Sequence, residues 1–461
     1  MVFSSITFLF YFLPVVLLVY YLVPKKYKNI VLLIASFAFY FYGEPKYTLL
    51  MMFSIICTYI FGLLINKYKK YSKLFLVISI TISVGILAYF KYINFIIENI
   101  NLWLANKIDF IHVALPIGIS FYTFQMISYI IDVYKGKAKV QKNILKLALY
   151  VSLFPQLIAG PIVRYTDIEE QLENRKHTFQ KFALGVRKFI IGLGKKVLIA
   201  NVLGELTAVF LVSKEMSVLY YWMYGISAML QIYFDFSGYS DMAIGLGKMF
   251  GFDFMENFNY PYIATSITDF WRRWHISLSS WFRDYVYIPL GGNRVSKLKW
   301  IRNILLVWML TGLWHGAAWN FVFWGLYFGI LLIIEKLFLE KILKKLPKFL
   351  SRIYTLIIVM ISFIIFNGES FAQIVQNIGG LIGIGEIPLV SNESLYYLKS
   401  YLIVMVIGIV GSTPILKNII NNIKLNKVIN LLEPIFLLLT LLICTSYIID
   451  GSFNPFLYFR F

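Results

Sequence analysis

Charged residues are scarce in this chain. Only 14% of its 461 residues are charged, whereas a soluble globular domain carries about 25%. Hydrophobic residues make up 59% of the chain. This composition excludes an ordinary soluble protein and predicts an all-α polytopic membrane protein, because helices satisfy their own backbone hydrogen bonds in lipid. Gly- and Ser-rich linkers are also absent, so we expect one integral membrane domain over 1–461.

Cysteine is nearly missing. Cys57 and Cys444 lie in apolar runs far apart in sequence, without the basic neighbours that produce a reactive thiolate. Two such residues exclude a disulfide framework, and no Cys or His spacing is typical of a metal site. We therefore predict no metal and no bound cofactor.

Acidic residues are few, 23 against 43 Lys and Arg, which gives a net charge of +20. A basic chain first indicates nucleic acid. Here, however, the basic residues form short clusters between apolar runs, as the positive-inside rule describes. The pattern favours membrane lipids as the partner and excludes nucleic acid. It also predicts about eleven transmembrane or re-entrant segments, with the N-terminus and the C-terminus outside.

Several of these segments have specific expected bounds. Residues 74–90 are predicted to cross the membrane, with 91–112 as an outer loop. The polar, basic stretch 164–188 is predicted to be a cytoplasmic amphipathic helix that carries a solvated surface histidine, His177. Residues 368–396 are predicted to be a Gly-rich outer loop.

The longest uncharged stretch, Asn303–Ile334, has 32 residues and carries His315 near its middle. A spanning helix needs about 20 apolar residues, so the stretch is long for one crossing and short for two. Gly312, Gly316 and Asn320 are candidate positions for a break, and basic residues flank both ends. The pattern predicts a segment that enters the membrane and returns, with His315 near the bend.

An ionisable residue at membrane depth is by default a functional-site hypothesis. The structural alternative is an imidazole whose nitrogens are satisfied by carbonyl groups and which holds two helices together. Helical spacing would place four residues on one face: Thr311, Gly312, His315 and Trp319. This face favours the functional alternative.

A second tryptophan-rich stretch runs over 266–292 and contains His275. Ser266 and Asp269 fit a capping box at its start. Five residues follow a helical stripe that is also expected of a plain packing face: Trp271, Trp274, Leu278, Trp281 and Tyr285. The same periodicity would place Trp271, His275 and Ser279 on one face. Upstream, Asp235 and Asp241 stand among apolar residues, where a carboxylate usually pairs with a basic group or a helix N-terminus, and a structural role is favoured for both.

The two histidines indicate a class of chemistry. A neutral imidazole at membrane depth can accept a proton from a hydroxyl group and act as a general base. No Ser or Cys lies in a motif typical of a covalent nucleophile. The residues therefore favour direct attack of an acceptor hydroxyl on an activated acyl donor.

Five long stretches, in order, resemble the membrane-bound O-acyltransferase (MBOAT) family, and within it the membrane subunit of bacterial alginate O-acetyltransferases. They are MVFSSITFLFYFLP at 1–14, FPQLIAGPIVRY at 154–165, YFDFSGYSDMAIG at 233–245, FWRRWHISLSSWFRDYVYIPLGGNR at 270–294 and LTGLWHGAAWNFVFWG at 310–325. The tail FNPFLYFRF also fits. The membrane subunit of D-alanyl transfer to teichoic acid is similar, but the motif around His275 favours the acetyltransferase branch.

The resemblance implies a ring of helices around a thin centre that a tunnel crosses. The single membrane domain would consist of N-terminal spans (1–160), a catalytic core (161–335), and C-terminal spans with an external aromatic tail (336–461). It implies that His315 and His275 are catalytic and that the donor is a cytosolic acyl thioester, most simply acetyl-CoA. A separate esterase-like partner outside a bacterial plasma membrane would pass the acetyl group to polysaccharide hydroxyls. Tyr458 would be either an acyl relay or an interfacial aromatic anchor.

The remaining predicted site residues have supporting roles. Four arginines are candidates for donor phosphates, although positive-inside topology also explains them: Arg272, Arg273, Arg283 and Arg294. Four further residues are expected to support the site: Trp271, Trp319, Asp241 and Asn320. Two other functions stay open, D-alanyl transfer from a carrier-protein thioester to teichoic acid and a proton-coupled transporter.

Overall fold

The computed structural model describes residues 1–158, 160–422 and 426–451. Within these ranges the chain is helical and contains no strand. The first eleven α-helices are α1 (Leu13–Leu22), α2 (Lys28–Gly43), α3 (Pro45–Lys67), α4 (Ser72–Asn101), α5 (Ile119–Tyr134), α6 (Ile144–Ser152), α7 (Phe154–Leu157), α8 (Tyr165–Glu173), α9 (Phe179–Gly194), α10 (Val202–Val212) and α11 (Val218–Met249).

The later helices are α12 (Ile267–Arg273), α13 (Ile276–Phe282), α14 (Lys297–His315), α15 (Trp319–Ile334), α16 (Glu340–Leu343), α17 (Lys348–Asn367), α18 (Phe371–Leu381), α19 (Asn392–Gly411), α20 (Ile415–Asn422) and α21 (Asn426–Asp450). Wider π-helical turns directly precede or follow several of the helices, at Thr7–Phe12, Lys195–Asn201, Arg283–Tyr287 and Glu335–Leu339.

Six helical segments of the described chain are long and apolar enough to cross a membrane. They are Pro45–Lys67, Lys69–Asn101, Trp319–Leu343, Lys348–Asn367, Asn392–Gly411 and Leu431–Asp450. These segments confirm a multi-pass, all-α membrane protein. The predicted number of about eleven segments is not confirmed.

Two compact units make up the chain. The first comprises Met1–Phe189 and Ser240–Met255, and the second comprises Ile190–Tyr239 and Glu256–Phe461. The predicted single domain over 1–461, with its three regions, stays a prediction.

In the first unit, aromatic rings pack around the interrupted segment after α6. The ring centroid of Phe154 lies 5.4 Å from Phe12 and 5.7 Å from Phe39. The Phe154 N–H donates a 3.1 Å hydrogen bond to Ser36 Oγ, which satisfies a backbone donor that the break in the helix leaves open. The irregular backbone at this break is thus held inside protein.

His177 is not the solvated surface histidine that the sequence predicts. It lies between α8 and α9, half-buried, with its Nε2 2.7 Å from the Tyr20 hydroxyl. The guanidinium of Arg175 also reaches the Tyr20 oxygen, at 3.3 Å. Burial, with the positive charges of Lys28 and Arg175, lowers the pKa of His177 to about 4. The prediction failed because a short loop can fold back on a helix far away in sequence.

Three other sequence expectations are wrong in their bounds. Helix α4 continues through Asn101, so 91–101 is not an outer loop. The stretch 164–188 holds α8 and part of α9, separated by residues 174–178, instead of one helix. Helix α18 occupies part of the expected loop over 368–396.

Both aspartates upstream of the second tryptophan-rich stretch form ion pairs. In the second unit Asp235 Oδ1 lies 2.6 Å from Lys196 Nζ, and both side chains are 2% exposed. In the first unit Asp241 Oδ1 lies 3.2 Å from Lys188 Nζ. These pairs support the structural role favoured for both carboxylates, because a buried charge needs a partner.

The second unit contains a hairpin of α14 and α15 whose backbones meet at glycines. A Cβ on Gly312 would lie 2.1 Å from the Phe321 carbonyl oxygen, and a Cβ on Gly325 would lie 2.2 Å from the Trp308 carbonyl oxygen. No side chain fits at such distances, so glycine at both positions permits the close packing. This hairpin is the frame that positions His315.

Candidate active site around two histidines

His315 is the last residue of α14, directly before the turn into α15. Its side chain is 4% exposed and is enclosed by aromatic rings. The ring centroids of Trp314, Trp324 and Phe366 lie 4.9, 5.0 and 5.3 Å from the imidazole centroid. A Cβ on the next residue, Gly316, would lie 2.1 Å from the Phe321 ring, so the turn requires a glycine there for steric reasons.

His275 occupies a break between two short helices. Helix α12 ends at Arg273, α13 begins at Ile276, and His275 has the left-handed values φ 44° and ψ 54°. A side chain other than glycine is strained in this region, at a cost of about 1–3 kcal/mol, and such strain concentrates at functional sites. His275 is 0% exposed.

This break corrects the predicted continuous stripe. Because Trp274 is extended (φ −103°, ψ 129°) and His275 is left-handed, Trp271, His275 and Ser279 cannot share one helical face. The Ser266 side chain does cap α12, by accepting from the Asp269 N–H at 3.0 Å. The Asp269 carboxylate, however, accepts from the Thr265 N–H instead of closing the box.

One indole joins the two histidines. The Trp314 ring centroid lies 5.9 Å from that of His275 and 4.9 Å from that of His315. Residues forty positions apart in sequence are thereby brought to one aromatic cluster. Phe236 also packs on His275, with ring centroids 4.6 Å apart.

Asn257 holds the His275 ring by a hydrogen bond. Its Oδ1 lies 3.2 Å from His275 Nδ1, and it accepts from the Ser277 N–H at 3.1 Å and the Ser277 hydroxyl at 2.9 Å. All three residues are buried. Sequence reasoning missed Asn257, since neither asparagine of the segment NFNYP (257–261) stands at a spacing that relates it to His275.

A cavity of about 720 Å³ lies next to these elements within the second unit. Its lining includes Thr311, one helical turn before His315, together with Ile276 and Ser279, which follow His275. Three cationic side chains line it, Arg272, Arg283 and Lys336, and among its described lining residues there is no carboxylate. The cavity therefore suits an anionic ligand that reaches toward apolar surface.

The four predicted arginines divide into two groups. Arg272 and Arg283 line the cavity, although Arg283 Nε also pairs with Asp284 at 2.7 Å. Arg273 Nε pairs with Asp269 at 2.9 Å, and neither Arg273 nor Arg294 is among the lining residues. Lys336 takes a place in the cavity that the sequence did not indicate.

Tryptophans connect the cavity to His315. The Trp271 ring lines the cavity and lies 5.7 Å from Trp324, which in turn contacts His315. Trp308 packs on Trp271 with centroids 4.5 Å apart. Sequence reasoning noted the density of tryptophan but not that Trp314 and Trp324 enclose the histidine.

The other supporting residues have different positions. Asn320 Nδ2 donates to the Phe366 carbonyl at 3.0 Å, and the Phe366 ring packs on His315. Trp319 begins α15 and is 53% exposed, so the predicted face of Thr311, His315 and Trp319 does not form. Asp241 belongs to the first unit. Tyr458 lies outside the described residues.

Glu335 is a further buried residue of this region. Its carboxylate accepts from the Ile267 N–H at 2.6 Å and from the Thr268 N–H and hydroxyl, each at 2.9 Å. It thus ties the end of α15 to the start of α12, the helix that carries Trp271 and Arg272. The signal for this role was an acidic residue that directly ends a long uncharged run.

Comparison with known proteins identifies the family. The family model described as MBOAT, membrane-bound O-acyltransferase family, matches residues 37–375, which include both histidines. The chain belongs to the membrane-bound O-acyltransferase family. As a member, it is an acyltransferase of the membrane.

Similar proteins from three bacteria have three different names. The chain is 44% identical over 377 residues to the probable alginate O-acetylase AlgI of Pseudomonas aeruginosa, covering 80% of this chain and 72% of that one. It is 36% identical over 439 residues to the peptidoglycan O-acetyltransferase of Helicobacter pylori, covering 87% and 83%. It is 34% identical over 279 residues to the teichoic acid D-alanyltransferase of Bacillus subtilis, covering 55% and 69%.

Proposed function

We propose that this chain moves an acetyl group from a cytosolic thioester, most simply acetyl-CoA, to the outer face of a bacterial plasma membrane. There the group esterifies hydroxyls of an exported polysaccharide or cell-wall polymer. The observation that carries the proposal is His315, which is enclosed by aromatic rings one turn after the cavity-lining Thr311. The names of the relatives in Pseudomonas and Helicobacter support acetyl as the acyl group.

In the proposed step, His315 acts as the general base. An acceptor hydroxyl oxygen attacks the thioester carbonyl carbon while its proton passes to the neutral imidazole. The carbon–sulfur bond breaks, and the leaving thiolate takes that proton to become the free thiol. His275 is the second catalytic histidine. Neutral imidazole suits this step because the enclosed site disfavours a charged ring.

The cavity is the proposed place of the donor. Arg272, Arg283 and Lys336 would contact the phosphates of CoA or of a phosphopantetheine arm, since guanidinium and ammonium groups bind phosphate by charge-assisted hydrogen bonds. The Trp271 and Trp308 surfaces would hold the apolar part of the arm and direct the thioester toward Thr311 and His315.

D-alanyl transfer is the second candidate, because of the relative in Bacillus subtilis. A D-alanyl thioester carries an ammonium group. Since the described lining of the cavity has three cations and no carboxylate, it offers that ammonium no opposite charge. This asymmetry favours an uncharged acyl group such as acetyl.

Passing the acetyl group to a polymer requires further components. We propose a separate esterase-like partner at the outer face, and termini of this chain on the same side. In this arrangement the Tyr458 hydroxyl would take the acetyl group from the thioester at His315 and pass it to that partner. The tail position of Tyr458 and the positive-inside pattern of the basic clusters support this arrangement.

The chemical identity of the transferred group tests the proposal. Surface polymer from cells that express the chain is compared with polymer from cells that lack it, and ester-linked groups are released by mild base. We expect a gain of acetate. A gain of D-alanine would instead establish the second candidate, and no gain of either ester would contradict acyl transfer to a surface polymer.

A further inference from the structure

His275 has two nitrogens in different surroundings. Nδ1 faces Asn257 Oδ1 at 3.2 Å and Ser277 Oγ at 3.4 Å. For Nε2, no described residue provides a hydrogen-bond partner, although the side chain is 0% exposed. A buried nitrogen of this kind is costly to leave unsatisfied, and a catalytic role is one of the explanations for such an atom.

The orientation of the Asn257 amide is fixed by its other partners. A backbone N–H can only donate, and the Ser277 N–H lies 3.1 Å from the atom assigned as Oδ1. Rotating the amide would place its NH₂ group against that N–H, donor against donor. The atom that faces His275 Nδ1 is therefore the oxygen, which can only accept.

The proton of His275 follows from that orientation. Since Asn257 Oδ1 accepts, the hydrogen bond requires a proton on Nδ1. The Ser277 hydroxyl donates to the same Oδ1 at 2.9 Å, so its oxygen lone pairs also face Nδ1 as acceptors. Both neighbours thus favour the same tautomer, and in a neutral ring the lone pair then lies on Nε2.

We propose that Asn257 is a positioning residue that holds His275 as the neutral Nδ1–H tautomer, so that Nε2 accepts a hydrogen bond from a substrate hydroxyl group. The left-handed backbone of His275 belongs to the same arrangement, because it separates the ring from the helical face that would otherwise carry it. The identity of the substrate hydroxyl in this inference rests on the proposed acyl transfer. The assignment of the tautomer rests only on the hydrogen bonds of His275 and Asn257.

The tautomer can be observed directly. Protein labelled with ¹⁵N-histidine is reconstituted in lipid nanodiscs, and the His275 signals are assigned by their loss in His275→Gln. We expect the wild-type ring to carry its proton on Nδ1 and none on Nε2. A wild-type His275 protonated on Nε2 would overturn the proposal, whatever any variant of Asn257 does.

Asn257→Leu removes the acceptor while keeping a side chain of similar size. We expect the Nδ1–H preference to be lost, and kcat for acyl transfer to fall about a hundredfold, as when a catalytic histidine has the wrong tautomer. The KM for the donor should change less, about threefold. The matched control is Asn377→Leu, the same change at another buried Asn of the second unit. It should keep the wild-type spectrum and rate.

An Asn257→Leu protein that retains the Nδ1–H tautomer would contradict the role of Asn257. The spectrum does not depend on turnover. A wild-type protein with the expected tautomer but no acyl transfer would therefore contradict the proposed function and leave the tautomer assignment standing.

Discussion

The cationic side chains of the cavity make the donor site testable one residue at a time. Arg272→Ala should raise the KM for acetyl-CoA about tenfold with a smaller effect on kcat, because a charge-assisted hydrogen bond contributes about 1.5–3 kcal/mol. The rate of CoA thiol release by protein in liposomes measures this change.

Arg294→Ala is the matched control for that variant, since Arg294 is exposed and is not among the cavity-lining residues. Its KM should equal that of the wild type. Equal effects of the two variants would mean that general positive charge, and not the cavity, attracts the donor.

Because of His177, the stability of the first unit should depend on pH, and the direction of the change can be derived. Its pKa is lowered to about 4 by burial and by the charges of Lys28 and Arg175, while an unfolded histidine titrates near 6.5. Between these values the unfolded chain binds a proton that the folded chain does not. Stability present above pH 6.5 is therefore lost as the pH falls toward 4.

We expect the apparent Tm of the wild type to fall more steeply between pH 6.5 and 4 than that of His177→Gln. His112→Gln, a change at the exposed His112, should keep the wild-type slope. Parallel curves for the wild type and His177→Gln would show that burial and the neighbouring positive charges do not keep the ring neutral.

At single positions, sequence and structure agree best where a residue type is unusual for its surroundings. His315 and His275 stand out because imidazoles are unusual in apolar runs, and the structure brings both to Trp314. Asn257 and Lys336 could not be found this way. Their importance depends on which loop or helix end folds against the site, and no local spacing encodes that.

Among the elements, the α14–α15 hairpin depends on its glycines. Gly312→Ala should lower the apparent Tm by at least about 3 °C, because its Cβ would lie 2.1 Å from the Phe321 carbonyl and overpacking costs about 1–3 kcal/mol. Thermal unfolding followed by tryptophan fluorescence in detergent measures the effect. Activity should fall with it, since His315 ends the same helix.

Gly85→Ala is the matched control. Gly85 lies within α4, and a Cβ there would meet no atom within 4 Å. Alanine in a helix interior is favoured over glycine by about 0.5–1 kcal/mol, so the Tm should stay or rise slightly. If both variants lost the same amount of Tm, the effect would come from replacing any glycine and not from the close packing at Gly312.

The apolar runs of the sequence predicted that helices form, but they did not predict where a helix is interrupted. Tryptophan periodicity over 271–285 predicted one helix, whereas His275 in a left-handed conformation divides it. Periodicity reports which residues are buried, and Trp271, Trp274 and Trp281 are indeed buried. It does not report a backbone break that tertiary contacts stabilise. Conversely, α4 extends past residue 90 because no Gly or Pro stops it before Asn101.

At the scale of the whole molecule, a variant of Tyr458 can distinguish its two possible roles, acyl relay and interfacial anchor. If it relays the acetyl group, Tyr458→Phe should abolish transfer to surface polymer while the protein inserts and folds normally. The control Tyr447→Phe, at an exposed position of α21, should transfer as the wild type does. Full transfer by Tyr458→Phe would leave this side chain as an interfacial anchor.

The membrane class, the family and the acyltransferase activity followed from composition and from long ordered motifs, and the family match confirms them. The number of crossings could not be derived from the sequence. Helices such as α6 and α7 are short and interrupted, and hydropathy cannot separate a re-entrant piece from a crossing.

The most direct test of the account is acetyl ester on surface polymer in cells that carry His315→Ala. The variant should reach the membrane at wild-type levels and lose at least about a hundredfold in acetyl transfer, within the range for removing a general base. His112→Ala should keep the wild-type ester content. Wild-type acetylation by a well-expressed His315→Ala protein would contradict the central role of this imidazole.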